Sequence, residues 1–195
     1  MPPAQPKHAV ILGGPNGAGK TTFAKEYLPK FVRIDEFVNA DNIAVGLSPF
    51  NRDAVAIEAG RMMLERINTL VEKEASFGFE TTLAGLSWQK VIARLKAAGY
   101  ATTLFYLNLS TEALSKERVH ARVTSGGHDI PEETLERRFV KSKLNFWKTY
   151  RRLVDQWYIF SVDTPTPTIV VSGNHNEKIF DHALYKLWLS QIEAL

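Results

Sequence analysis

The 195-residue chain contains no cysteine. That excludes disulfide scaffolds, cysteine-ligated zinc, iron–sulfur clusters and thiol nucleophiles in one step. Long apolar runs are missing as well, and nothing approaches the ~18 residues that a membrane-spanning helix needs. The apolar stretch Ala9-Val10-Ile11-Leu12 is shorter than the roughly 7–15 residues of a secretory signal core. The chain therefore reads as cytoplasmic. An excess of one charge is also lacking: 24 basic and 21 acidic side chains leave a formal net charge of +3. A phosphate-binding pocket alone accounts for so small an excess, so composition gives no reason to invoke a nucleic-acid partner or a membrane. No internal repeat or low-complexity segment occurs.

What is present is an alternation of short apolar runs with amphipathic stretches, the pattern of a parallel α/β sheet. Strands are expected over residues 8–12, 37–40, 77–81, 102–107, 158–162 and 168–171. Helices are expected over 20–28, stopped by Pro29, and over 53–74, with Ile57, Leu64, Ile67 and Leu70 on the buried face. Further helices are expected over 88–98, 111–123 and from Pro131 to about 156. A last helix, capped by Asn174 or Asn176, closes the chain over about 175–195. A chain of this length buries roughly 70% of its unfolded surface as one domain, and residues 1–195 read as a single unit. Phe146, Trp147, Tyr150 and Trp157 recur at helical spacing and read as core packing.

The segment Gly14-Pro15-Asn16-Gly17-Ala18-Gly19-Lys20-Thr21 matches G-x-x-x-x-G-K-[ST] between an apolar strand and a helix. Its glycines permit the positive φ angles that let successive backbone N–H groups curl around phosphate oxygens. Lys20 reaches the outer phosphates, the Thr21 hydroxyl is a Mg²⁺ ligand, and Thr22 follows in the same turn. The helix that starts here turns its positive end towards the anion. The site is thus expected to take ATP with Mg²⁺. A guanine-specific N-K-x-D motif is absent, and Leu83-Ala84-Gly85-Leu86-Ser87 is a poor match to a transporter-ATPase signature. Small kinases remain.

Three further motifs carry a resemblance: Phe37-Val38-Asn39-Ala40-Asp41, Phe79-Glu80-Thr81-Thr82-Leu83, and Arg122 with Gly126-Gly127-His128-Asp129-Ile130-Pro131-Glu132 and Arg137-Arg138. Together with the cradle they resemble the zeta toxin kinases, in the chromosomal zeta-toxin-like branch, from His8 to about Gly173. The resemblance implies a P-loop kinase fold with a five-stranded parallel sheet and a helical lid, here over about 118–140. It also implies transfer of a phosphoryl group from ATP to a hydroxyl of a sugar nucleotide such as UDP-N-acetylglucosamine, and an antitoxin protein as partner. One departure stands out: where the related branch has Tyr-Asp-Asn-Ser near the adenine side, this chain has Phe160-Ser161-Val162-Asp163.

Asp41 falls at the expected C-terminal end of the second strand, where open α/β sheets hold their ligands. It is a candidate general base for the acceptor hydroxyl; alternatively it caps a short helix over 42–45. Glu80 and Thr81 end the third strand and are candidates to bind acceptor hydroxyls, as the family places a substrate-binding Glu here. Glu80 alternatively pairs with an arginine or holds Mg²⁺ through water. Arg122 and one of Arg137 or Arg138 are candidates to meet charge on the transferring group. Arg118, Lys141 and Lys143 are assigned to the surface. The expected hinge is Gly126-Gly127, with His128 beside it. A kinase of another metabolite, nucleoside or nucleotide, and an ATP-driven switch without kinase activity, remain as alternatives.

Overall fold

The computed structural model describes residues 6–124, 130–174 and 176–195. The expected Gly126-Gly127 hinge and His128 lie outside the described residues. Strands β1 (His8–Gly13), β2 (Glu36–Val38), β3 (Phe77–Thr81), β4 (Ala101–Asn108), β5 (Gln156–Ser161), β6 (Thr168–Gly173) and β7 (Glu177–Ile179) form one sheet. Its order is β2-β3-β1-β4-β5-β6-β7. The first five strands run parallel, while β6 and β7 are antiparallel additions. The mixed α/β P-loop architecture and its five parallel strands are as expected; among the described residues β6 and β7 extend the sheet to seven strands. Direct short connections out of β5 and β6 make those last pairings antiparallel, since a parallel strand needs a long crossover.

Helices α1 (Lys20–Glu26), α2 (Ala40–Leu47), α3 (Ala56–Glu72), α4 (Trp88–Ala97), α5 (Glu112–Thr124), α6 (Glu132–Lys148) and α7 (His182–Glu193) cover the sheet. Strand β1 is buried on both faces, so its sequence is continuously apolar rather than alternating. Its period of two still divides the core. Ala9 and Ile11 join a cluster with Phe79, Phe146, Trp157 and Trp188, whereas Val10 and Leu12 join one with Phe23, Phe105 and Phe160. Phe146, Tyr150 and Trp157 are buried and Trp147 packs partly buried against them, so the expected aromatic group is core.

Several expected boundaries shift for local reasons. The first helix ends at Glu26, and Pro29 sits inside a separate 3₁₀ turn, Leu28–Lys30. The second strand ends at Val38 because Asn39 caps α2, its side chain accepting from the Asn42 N–H at 3.1 Å. The long helix of the middle segment starts at Ala56 after a 3₁₀ turn and buries Ala59, Met63, Ile67 and Leu70. Ile57 and Leu64, expected inside, are 92% and 41% exposed. The helix after Pro131 stops at Lys148 rather than near 156. The aromatic run after it pairs with β4, and the Asp155 carboxylate fixes the strand's start by accepting from the Thr102 N–H and hydroxyl, both at 2.8 Å. Neither Asn174 nor Asn176 caps the last helix: the edge strand β7 intervenes, and the Asp181 carboxylate accepts from the Leu184 N–H at 2.9 Å.

Lys141 is exposed as expected, but Lys143 is not. It is 1% exposed, its Nζ donating to Gln191 Oε1 at 2.7 Å and lying over the rings of Phe139 and Trp188. Burial pushes its ammonium down to about 8 from the ordinary 10.5, against a smaller opposing pull from Asp163. Below about pH 8 the folded state holds this buried charge at a cost; between 8 and 10.5 the unfolded chain binds more protons, so this residue's contribution to stability rises with pH. Lys143→Met is therefore expected to raise the Tm at pH 7 by about 2–6 °C. The gain should shrink as the pH is raised towards 10.5. Thermal denaturation of both proteins across that range checks it; a gain independent of pH would refute the assignment.

Candidate active site

The chain leaves β1 for α1 through the glycine-rich loop, and β1 sits between β3 and β4. The chain proceeds from β1 to one side of the sheet and returns to the other at β4, so the carboxyl ends of these strands open a crevice where such sheets hold ligands. Gly14 and Gly17 make the loop possible. Their φ angles are 148° and 75°. A Cβ at Gly14 would meet the Leu107 carbonyl oxygen at 2.6 Å, and one at Gly17 the Ser115 carbonyl oxygen at 2.7 Å. The loop is strapped to α5 by the Ser115 hydroxyl, which donates to the Asn16 carbonyl at 2.7 Å. Lys20 Nζ curls back over the loop and donates to the carbonyls of Gly14 and Pro15, both at 3.0 Å.

Register decides what faces Lys20 and Thr21. Leu12 pairs with Glu80, so the carboxylate of Glu80 stands beside the loop's end. The Thr21 hydroxyl donates to Glu80 Oε2 at 3.2 Å, and Asn39 Nδ2 donates to Thr21 Oγ1 at 3.4 Å. Burial raises the Glu80 carboxyl above the usual carboxylate range, with Asp41 adding to this and Lys20, Thr21 and Asn39 opposing it. Burial likewise lowers the Lys20 ammonium, while Glu80 and then Asp41 pull it back up. Lys20, Glu80 and Asp41 thus share a single electrostatic neighbourhood, in which Arg122 and Arg138 also act on the lysine. Hard oxygen donors at Thr21 and Glu80 are what a Mg²⁺ site beside phosphates uses. Among the described residues no group of three or more His, Cys, Asp or Glu side chains stands ready to hold a metal by itself.

Asp41 is not at the end of β2 but in the first turn of α2. Asn39 does the capping, so the alternative role expected for Asp41 falls to its neighbour. Asp41 is exposed and lines two adjoining cavities of about 410 and 610 Å³. Thr81 lines the larger cavity, with its hydroxyl oxygen accepting from the Leu83 N–H at 3.1 Å. Leu83 itself adopts φ 57°. This conformation is costly for a branched side chain; the loop is braced by Asn145 Nδ2, which donates to the carbonyls of Leu83 and Ala84 at 2.9 and 3.0 Å.

The arginines separate by helix face. Arg138 is half-buried and lines both larger cavities, whereas Arg137 is exposed and lines neither. Burial lowers the Arg138 guanidinium from its ordinary value, Arg137 lowers it further, and Asp41 opposes them. Arg122 lines the 410 Å³ cavity and a smaller one of about 220 Å³ around Gly17, Lys20 and Thr22. Arg118, expected on the surface, is half-buried and lines a cavity of about 240 Å³ with Gly19, Thr22, Tyr27, Thr164 and Pro165. It donates to the Asp163 carbonyl at 2.8 Å, and the Asp163 carboxylate accepts from the Ser110 N–H at 2.8 Å. The departing segment Phe160-Ser161-Val162-Asp163 therefore fastens the loop that borders this side of the cradle.

Sequence reasoning missed Asn39, Arg118 and Asn145 as site-shaping residues. Asn39 had a readable signal, since an Asn ahead of a short helix is a favoured cap. Asn16 adds a buried side-chain oxygen, Oδ1, that has no hydrogen-bond partner among the described residues and belongs to a residue lining three of the cavities.

Among the described residues no helix is long and apolar enough to cross a membrane. The family described as Zeta toxin matches residues 1–182. An uncharacterized protein of Haemophilus influenzae (strain ATCC 51907 / DSM 11121 / KW20 / Rd) is 31% identical over 134 residues, 67% of this chain and 91% of that protein. The solved AvrRxo1-ORF1:-ORF2 complex with ATP superposes with a TM-score of 0.72 at 16% identity, over 94% of this chain and 63% of that one. This chain therefore spans less than two thirds of that relative. The PezAT chromosomal toxin-antitoxin system of Streptococcus pneumoniae superposes with a TM-score of 0.69 at 17% identity, over 98% of this chain and 86% of that one. At such identities the two structures show a shared fold. The family match runs from the cradle through both carboxylates and every strand to the start of α7, and on that ground this chain belongs to the zeta toxin family.

Proposed function

We propose that the protein is an ATP-dependent kinase that transfers the γ-phosphoryl group to a hydroxyl of a small molecule, a nucleotide sugar such as UDP-N-acetylglucosamine. The observation that carries this reading is the convergence of Lys20, Asp41, Glu80 and Arg138 on one cavity that continues from the phosphate cradle. Backbone N–H groups of residues 14–19 and Lys20 hold the phosphates of ATP. Thr21 and Glu80 are the residues that would hold Mg²⁺, which when bound offsets charge on the β- and γ-phosphoryl oxygens. Asp41 accepts the proton of the acceptor hydroxyl as its oxygen bonds to the γ-phosphorus. The bond from that phosphorus to the bridging oxygen breaks, and ADP leaves. Arg138 and Arg122 meet the charge spread over the transferring group. Glu80 and Thr81 also position the acceptor. The family membership and the toxin-antitoxin system among its structural relatives support an antitoxin protein as partner.

The test is mass spectrometry of protein, ATP and Mg²⁺ incubated with a mixture of UDP-sugars, nucleosides and free sugars, beside a Lys20→Ala control. The expected result is one input made heavier by one phosphoryl group, absent from the control. ATP bound with no phosphorylated product in any such mixture would refute the kinase reading in favour of a nucleotide-driven switch.

A further inference from the structure

A loop packed against the core must find donors for carbonyls that no helix or ladder uses. The loop from β3 to α4, residues 82–87, finds them on α6 and the turn after it. Asn145 Nδ2 donates to the carbonyls of Leu83 and Ala84 at 2.9 and 3.0 Å, and the Tyr150 hydroxyl donates to that of Gly85. Three successive carbonyls are thus held by side chains 61 to 65 positions away along the chain. The N–H groups are satisfied nearby: the Thr81 hydroxyl accepts from Leu83 at 3.1 Å and the Thr82 hydroxyl from Ala84 at 3.4 Å.

This loop is strained where it is held. Among the described residues only Glu74 and Leu83 are non-glycine residues with positive φ. Glu74 follows the last turn of α3, where a left-handed residue commonly ends a helix. Leu83 ends no helix. Its side chain is fully buried and wedged beside the start of the cradle, for a Cβ at Gly13 would lie 2.5 Å from Leu83 Cδ1. Conformations this costly persist only where the surroundings over-determine them.

The firm side of the contact is α6. Its Phe139, Ser142 and Phe146 are buried, and the Ser142 hydroxyl shares a hydrogen bond with that of Tyr106 at 3.1 Å. Asn145 lies seven positions after Arg138, about two helical turns, so both occupy one face of α6. One core-anchored face therefore carries the guanidinium that lines the larger cavities and the amide that holds the loop following Glu80 and Thr81. Asn145 itself lines none of the four cavities described above.

We infer that Asn145 is a positioning residue for phosphoryl transfer: through residues 82–85 it sets Glu80 and Thr81 in place against Arg138. This rests on the kinase reading of the same site. The acceptor hydroxyl, held at Glu80 and Thr81, has to meet the γ-phosphorus in line while Arg138 meets the phosphoryl oxygens. A misplacement of about 1 Å costs about 10² in rate. The cradle keeps its shape through its own glycines and the strap from Ser115, so ATP is held independently of Asn145.

Steady-state kinetics of the full chain with ATP, Mg²⁺ and the acceptor found by mass spectrometry test the inference. Asn145→Ala is expected to lower kcat about 10–100-fold while KM for ATP changes less than about twofold. Made in Arg138→Ala protein, the same substitution should cost less than about threefold more, because no guanidinium is left to align with. Asn145→Asp, equal in size but without the donor, should behave alike and replaces the alanine variant if that does not fold. Ser142→Ala removes a buried hydrogen bond about one turn away on α6 and should lower Tm without lowering kcat. An unchanged kcat, a loss carried by KM for ATP, or a loss that multiplies fully with that of Arg138→Ala would overturn the inference. An equal kcat loss in Ser142→Ala, or failure of both Asn145 variants to fold, would also reduce Asn145 to a structural role. All of these leave the kinase reading intact. Unaltered protein that transfers no phosphoryl group to any acceptor would overturn both.

Discussion

Asp41→Asn is expected to lower phosphoryl transfer by about 10²–10⁴ while leaving ATP affinity unchanged. The substitution keeps size and hydrogen-bonding capacity but removes the proton acceptor. Its specificity follows from where the side chain stands. Asp41 occupies the first turn of α2, yet the backbone there is already capped by Asn39, so Asn at 41 should not unfold the helix. The carboxylate is exposed to the two cavities that flank the cradle, so an incoming hydroxyl has access to it. It also acts on the Lys20 ammonium and the Arg138 guanidinium without being the largest influence on either. Nucleotide binding measured by calorimetry, beside turnover with the identified acceptor, separates the two effects. A variant that turned over normally would sink the base assignment.

Arg138→Ala should cost about 10³ in turnover, whereas Arg137→Ala should change it little. Adjacent positions on a helix point about 100° apart, so only one of the pair can face the crevice. Arg138 does: it lines both larger cavities, and burial depresses its guanidinium. Arg137 faces solvent, where an arginine ordinarily contributes little. Arg138→Lys should not restore the rate, because a lysine offers a point charge in place of a planar fork. Turnover measured for the three variants under saturating ATP checks the order. A larger loss at Arg137 than at Arg138 would reverse the assignment of the transition-state arginine.

The glycine-rich loop between β1 and α1 was legible in the sequence because it is contiguous. Its glycines, Lys20 and Thr21 fall within eight consecutive positions, and the positive φ angles of Gly14, Gly17 and Gly19 are a local matter. The α/β class was legible for a similar reason, since strands buried on both faces read as short apolar runs. The motif around Glu80 could be placed at a strand's end from local pattern alone. Periodicity was less informative at the ends of elements. Asn39 and Asp181 terminate strands and start helices by single hydrogen bonds that hydropathy does not register.

Long-range packing decided the rest. Lys143 looks like a surface lysine until α7 places Gln191 and Trp188 around it. Arg118 looks equally ordinary until the loop through Asp163 accepts its hydrogen bond, at a separation of 45 positions along the chain. Ile57 and Leu64 fit a buried helical face by spacing with Ile67 and Leu70, and the latter two are buried, but α3 is rotated so that Ala59 and Met63 take the place of the first two. The sequence by itself determined the glycine-rich loop with its lysine and threonine between β1 and α1, because backbone conformation and side-chain type settle that locally. Which arginine lines the crevice, which lysine is buried and which apolar side chains of α3 stay exposed were decided only by tertiary structure, because a small rotation of a helix about its axis exchanges its buried and exposed faces without altering a single residue.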